Sequence, residues 1–267
     1  MMPLSLGMLA AHVPRICHEE KAPDFQKALV EGMRQAAAAI REVQADVIVL
    51  MSCHFPATFH HYVNVAPRHK GVLTAVECPD LIANVPYDYP GDPELAGQLV
   101  EAGKSAGIPV IGFHDPTYTW DYGTVVPLRY LVPQGDVPVV DLSVCLASSL
   151  DESHLWGQQI GKVLRSSSKR AVFVSSGALS HNLVRGPDKM PTLSEQAMDN
   201  QFIQYLLTGE YDRAREMLTQ YARLAGVESG GRHLAALLGV LDSRYQARFL
   251  GYAQSSGSGN AVITFAS

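Results

Sequence analysis

The feature that most limits how this chain can fold is an alternation, kept up along most of its length, between short apolar runs and longer amphipathic stretches. Leu4 to Ala10 reads as a strand, and Phe25 to Val43 as a helix with Leu29, Met33, Ala36, Ile40 and Val43 on one face. Asp46 to Met51 (DVIVLM) is a β-branched run of the kind buried on both faces of a sheet. Asp92-Pro93-Glu94 offers an N-cap, a proline at the first helical position and a first-turn acid, and predicts a helix to about Ser105. Ile108 to Phe113, Asp136 to Leu142 and Arg170 to Ser175 are further strand candidates, the last two separated by a helix from Asp151 to Leu164. Thr192-Leu-Ser-Glu195 matches a capping box that opens a helix through Leu207. Helices from Asp212 to Leu224 and Gly231 to Leu241 follow, then two closing strands, Phe249 to Ala253 and Ala261 to Phe265, joined by SSGSGN. Such alternation predicts an α/β fold: a mostly parallel central sheet with helices on both faces. No repeat or linker divides the chain, so residues 1–267 read as a single domain.

Composition narrows the function classes. A net charge of -5 gives no general attraction to phosphate backbones or anionic lipid, so nucleic-acid and membrane binding are not expected. No apolar run reaches the ~18 to 20 residues of a membrane span. The opening MMPLSLGMLAAHVP lacks a basic n-region and a long apolar stretch, so a cytoplasmic protein without a signal peptide is expected. Cys17, Cys53, Cys78 and Cys145 are scattered with no CxxC pair, which predicts free thiols rather than disulfides or a thiolate zinc site.

The ten histidines are more informative. In open α/β sheets the ligand site lies beyond the carboxyl ends of the strands. His12 (AAHVP), His54 (SCHFP) and His181 (GALSH) each follow a predicted strand. Alone, each would ordinarily be a hydrogen-bonded structural residue; three strands delivering a histidine to one edge point to a metal or catalytic centre. Two imidazoles with a carboxylate suit non-haem Fe(II), and zinc accepts the same set. Glu228 (AGVESGGRH) lies in a small-residue loop before a helix and is a carboxylate candidate, although it could equally support that helix's dipole. His60 and His61 read as solvated or at a strand edge, His18 and His69 as surface, and His233, five residues after Glu228, as core or surface, with a supporting role beside the site as the alternative. Tyr122, in WDYGTVVPL, stands at a turn into a helix; such a tyrosine is ordinarily a packing residue, but it could point its phenol into the site as a catalytic hydrogen-bond donor.

Taken in order, these motifs resemble the class III extradiol dioxygenases, the LigB-type superfamily. The likeness runs through AAHVP, SCHF, GVLTAVECPDLIANVPYDYPGDPEL, DYGTVVPLRY, SGALSH, the Glu228 loop and the closing SGSGNAVITF, nearly the whole chain. It implies a LigB-like fold, Fe(2+) held by His12, His54 and Glu228, and His181 as the acid/base residue. Tyr122 stands where some relatives carry a histidine, which favours the homoprotocatechuate and aminophenol branches. The expected substrates are a catechol-type aromatic and O2, opened to a muconic semialdehyde-type product by a homo-oligomer or a hetero-oligomer with a paralogous subunit. Competing expectations are a 2-aminophenol 1,6-dioxygenase subunit, a zinc hydrolase built on the same three ligands, and a non-catalytic partner subunit.

Overall fold

Residue pattern and packing together explain how the sheet is layered. A computed structural model describes residues 4–267; Met1–Pro3, part of the segment read for a leader, lie outside the described residues. The strands are β1 (Leu6–Ala10), β2 (Val47–Ala57), β3 (His61–Asn64), β4 (Arg68–Leu73), β5 (Val85–Pro90), β6 (Val110–Phe113), β7 (Val139–Cys145), β8 (Ala171–Ser176), β9 (Gln246–Ser255) and β10 (Ser258–Ala266). The helices are α1 (Lys27–Glu42), α2 (Pro93–Ser105), α3 (Tyr122–Leu131), α4 (Leu150–Ser166), α5 (Leu193–Leu207), α6 (Tyr211–Leu224) and α7 (Arg232–Val240).

Eight strands form one sheet in the order β6-β3-β7-β2-β8-β1-β10-β9, while β4 and β5 pair apart from it. Neighbours from β7 through β2 and β8 to β1 run parallel, and β10 and β9 close that end antiparallel. Strands β1, β7 and β8 are buried at every position, as expected where helices cover both faces. Alternation along each strand sends side chains to two cores. Val49 and Met51 join Phe173, Trp156 and Leu237 on one face; Ile48 and Leu50 join Met33, Val126 and Val174 on the other. On the first face α4 and α7 approach so closely that a Cβ on Gly157 would lie 2.0 Å from the Ala236 carbonyl oxygen. That contact seats α7, whose preceding turn carries Glu228.

The predicted caps form: Asp92 accepts from the Leu95 N–H, and Thr192 and Glu195 close a reciprocal capping box. The strand after α1 runs longer than its apolar run, so His54 lies inside β2 rather than beyond it, with a register shift against β7 between Ser52 and Pro56. Strands β3, β4 and β5 are polar and short, too weak in periodicity to stand out from sequence. The surface reading of His69 is wrong: it is buried, stacks on Trp120 at 4.6 Å and bonds the Val139 carbonyl through Nε2. His61 is likewise buried, at the start of β3, against Glu152 at 3.1 Å. All four cysteines are free. Among the described residues, no helix is long and apolar enough to cross a membrane.

Candidate metal centre and its cavity

Three adjacent parallel strands, β1, β8 and β2, end at the same edge of the sheet. His12 follows β1, His54 stands near the end of β2, and the chain beyond β8 turns through Gly177–Ser180 to His181. Glu228 opens a one-turn 3-10 segment, Glu228–Gly231, in which Ser229, Gly230 and Gly231 all take positive φ. This left-handed stretch, for which glycine is suited, turns the chain sharply into α7 and leaves the Glu228 carboxylate facing the histidines.

The geometry is tight. Glu228 Oε1 lies 3.3 Å from His12 Nε2 and 3.1 Å from His54 Nε2, and the two imidazole rings meet edge to face at 4.9 Å. The other carboxylate oxygen, Oε2, accepts the Ala178 N–H at 2.5 Å. The Ser176 hydroxyl donates to the Gly123 carbonyl at 2.6 Å, so its oxygen accepts from His12 Nδ1–H at 3.0 Å. That bond fixes the tautomer and leaves a lone pair on Nε2 aimed at the cluster. His54 Nε2 is buried and satisfies no regular hydrogen bond, although Glu228 Oε1 lies 3.1 Å away.

The electrostatics agree. Burial alone would raise the Glu228 pKa, but His12 and His54 overcome it and hold the carboxyl well below its usual range. Burial alone would lower His54, but the Glu228 carboxylate overrides it and the net direction is upward. Two nitrogens and one oxygen converging, with His12 and Glu228 buried and His54 half-buried, fit a divalent cation with coordination positions left open.

Beside the trio, and reaching it at His12, is a cavity of about 280 Å3, lined in part by His12, Tyr122, His181 and Asn260. Tyr122 is the first residue of α3, and its ring lies 3.9 Å from that of His54. Burial and the Glu228 carboxylate push its phenol above the ordinary value, so it stays protonated. Burial lowers His181, with Glu228 opposing and the two neighbouring histidines adding to the drop. It is held by its N–H to the Ala225 carbonyl and by pairing with Ser258.

The structure therefore brings His12, His54, Glu228, Tyr122 and His181 to one place, and leaves His18 and His69 outside it. His233 is fully buried beside the trio, its pKa pushed down to about 4 by burial, and its ring nitrogens make no hydrogen bond. Sequence reasoning missed the groups that orient the set. Ser52 accepts the His54 N–H and donates to Asp121 Oδ1 at 2.6 Å, while Asp121 caps α3, so one carboxylate ties Tyr122 to the His54 strand. Asp199 accepts from the Ser180 N–H and hydroxyl and from the Tyr221 and Tyr252 hydroxyls, clamping the residue before His181. Asp121 could have been read as an N-cap; Ser176 and Asp199 carry no such local signal.

Ser176→Ala is expected to weaken divalent-metal affinity by about 10- to 100-fold, since supporting partners of ligating histidines typically matter to that degree. Competition against a metal-sensitive chelator dye would measure it. An unchanged affinity would show that His12 holds its orientation without Ser176.

A family model described as the catalytic LigB subunit of aromatic ring-opening dioxygenase matches residues 6–264. The chain is 25% identical to 3,4-dihydroxyphenylacetate 2,3-dioxygenase of Escherichia coli, over 89% of this chain and 90% of that protein. It is 27% identical to the 2-aminophenol 1,6-dioxygenase beta subunit of a Pseudomonas species, over 96% and 92%. The alpha subunit of that name, also from Pseudomonas, is 27% identical over 87% and 88%. A crystal structure of an uncharacterized Escherichia coli K12 protein superposes with a TM-score of 0.71 at 18% identity, covering 97% and 99%, a likeness of fold alone.

Proposed function

We propose, for a chain that belongs to the LigB family of aromatic ring-opening dioxygenases, a single catalytic domain that opens catechol-type rings at a ferrous centre held by His12, His54 and Glu228. The observation that carries this reading is the converging N2O trio with an unpartnered His54 Nε2, whose His12 lines an open cavity. Iron(II) held there would supply a chelation point for the two diol oxygens and a route for ring electrons to reach O2, removing the spin barrier to their direct reaction.

The chain's own residues would do the rest. His181, kept as free base by burial, is suited to take a proton from the incoming diol and to return it to the departing oxygen as the ring opens. Tyr122, a neutral phenol, would donate to a substrate oxygen and to the negative charge that develops on it. Asp121 and Asp199 would keep these two groups in place through the contacts described above. Insertion of both oxygen atoms beside the diol gives a ring-opened semialdehyde acid of the muconic type. The same reading carries an oligomer, homomeric or with a paralogous subunit.

The test is the Fe(II)-reconstituted protein assayed with and without air against substituted catechols and 2-aminophenol. The expected result is a yellow ring-opened product with one O2 consumed per substrate, lost in anaerobic buffer. Tightly held zinc with O2-independent hydrolysis would sink the proposal.

A further inference from the structure

We propose that His61, Cys145 and Glu152 form a second metal site, suited to zinc, that ties the short strand β3 to β7 and α4. The inference stands apart from the ring-opening reading and uses none of its residues. His61 is the first residue of β3, Cys145 the last of β7, and Glu152 lies in the first turn of α4. The three arrive by different routes. Strands β3 and β7 are neighbours in the sheet, antiparallel through the Val63–Leu142 pair, and the Tyr62 N–H donates to the Ser143 hydroxyl at 2.7 Å. Just beyond β7, the Ser149 hydroxyl accepts the Glu152 N–H and starts α4.

Each residue offers one donor atom, and the three donors lie within 4.8 Å of one another. His61 Nε2 and Glu152 Oε1 are 3.1 Å apart. That is near the spacing of about 3.3 Å that two donors take around a tetrahedral ion with bonds of ~2.0 Å. A histidine–glutamate hydrogen bond would account for that pair alone. It leaves unexplained the Cys145 sulfur, buried beside both, whose hydrogen bond to the Thr58 carbonyl is a long 3.7 Å. It also leaves His61 Nδ1 buried without a partner. Nitrogen, sulfur and carboxylate donors together suit zinc, whereas magnesium and calcium prefer oxygen alone. Burial lowers the His61 pKa against the opposing Glu152 carboxylate and favours the free base, the form that binds a metal. On binding, the Cys145 thiol gives its proton to solvent as the sulfur–zinc bond forms. The thiolate and the Glu152 carboxylate then balance the dication's charge. The Glu152 side chain is 34% exposed, which opens the fourth position to water. The missing CxxC pair argues against a site of several thiolates; one thiolate completed from two other elements leaves no such spacing.

The experiment titrates the metal-stripped full chain with Co2+, whose bond to a thiolate gives a near-ultraviolet charge-transfer band, and then adds Zn2+. In wild type the thiolate band is expected to rise to saturation and to be abolished by Zn2+. It should persist in His12→Ala, where the first centre is broken, and vanish in Cys145→Ser. Glu152→Gln, at a part-exposed position, should raise the Co2+ concentration for half-saturation by at least about 10-fold, since losing a ligand weakens binding more than losing a supporting partner. Far-UV circular dichroism checks the fold of each variant. Absence of the band in wild type overturns the site, and that arm stands even if Cys145→Ser fails to fold. A band that survives in folded Cys145→Ser, or is lost in folded His12→Ala, belongs to another thiol and overturns it as well. Unchanged half-saturation in Glu152→Gln removes the carboxylate and with it the three-donor site.

Discussion

His12→Ala and His54→Ala are each expected to lose bound iron and ring-opening activity together, to below detection. On the proposed assignment each removes one of three donors, and the two imidazole nitrogens stand 3.1 and 3.3 Å from one Glu228 carboxylate oxygen. The loss is more than one bond. Without His12, Glu228 keeps its Ala178 contact but faces a single imidazole, and a buried carboxylate short of positive charge is costly. Glu228→Gln should weaken iron retention for the complementary reason, since an amide oxygen carries no charge to offset the dication. Iron per chain measured after gel filtration, with far-UV circular dichroism to confirm folding, checks this. Wild-type iron content in a folded His12 or His54 variant would refute the ligand assignment.

His181→Ala is expected to keep iron and bind the diol, yet turn over about 10^2- to 10^4-fold more slowly, the usual range for a lost acid/base group. His181 borders the cavity without belonging to the trio, so its removal leaves the metal donors intact. Its pH signature separates chemistry from packing. Burial lowers its pKa, so in wild type the acid limb of kcat/KM should fall below the ordinary imidazole value of about 6.5. Activity is present above that limb, where the ring is free base, and is lost as pH falls through it. In His181→Ala the limb should vanish, and a slow rate independent of pH in that range should remain. Wild-type turnover, or an unchanged acid limb, would take His181 out of the mechanism.

The sequence alone was enough for the α/β architecture, because helix caps and apolar periodicity are local and few folds bury such strands. Asp92 and the Thr192–Glu195 box cap the helices their patterns predict. It also singled out His12, His54 and His181, since strand ends in such a sheet share one edge. Glu228 was harder: an acid ahead of a helix has a local explanation in the helix dipole, and only its 3.1 and 3.3 Å approaches to two imidazoles favour the other reading.

Tertiary structure decided the rest. His69 looked like surface because it sits between the charged Arg68 and Lys70, yet strand alternation turns it inward onto Trp120. Ser176 sets the His12 tautomer across a separation of 164 residues, and Asp199 collects the Tyr221 and Tyr252 hydroxyls from 22 and 53 residues away. Neither leaves a trace in local sequence. Periodicity reports which face of an element is buried; hydrogen bonds between distant residues exist only once the strands are side by side.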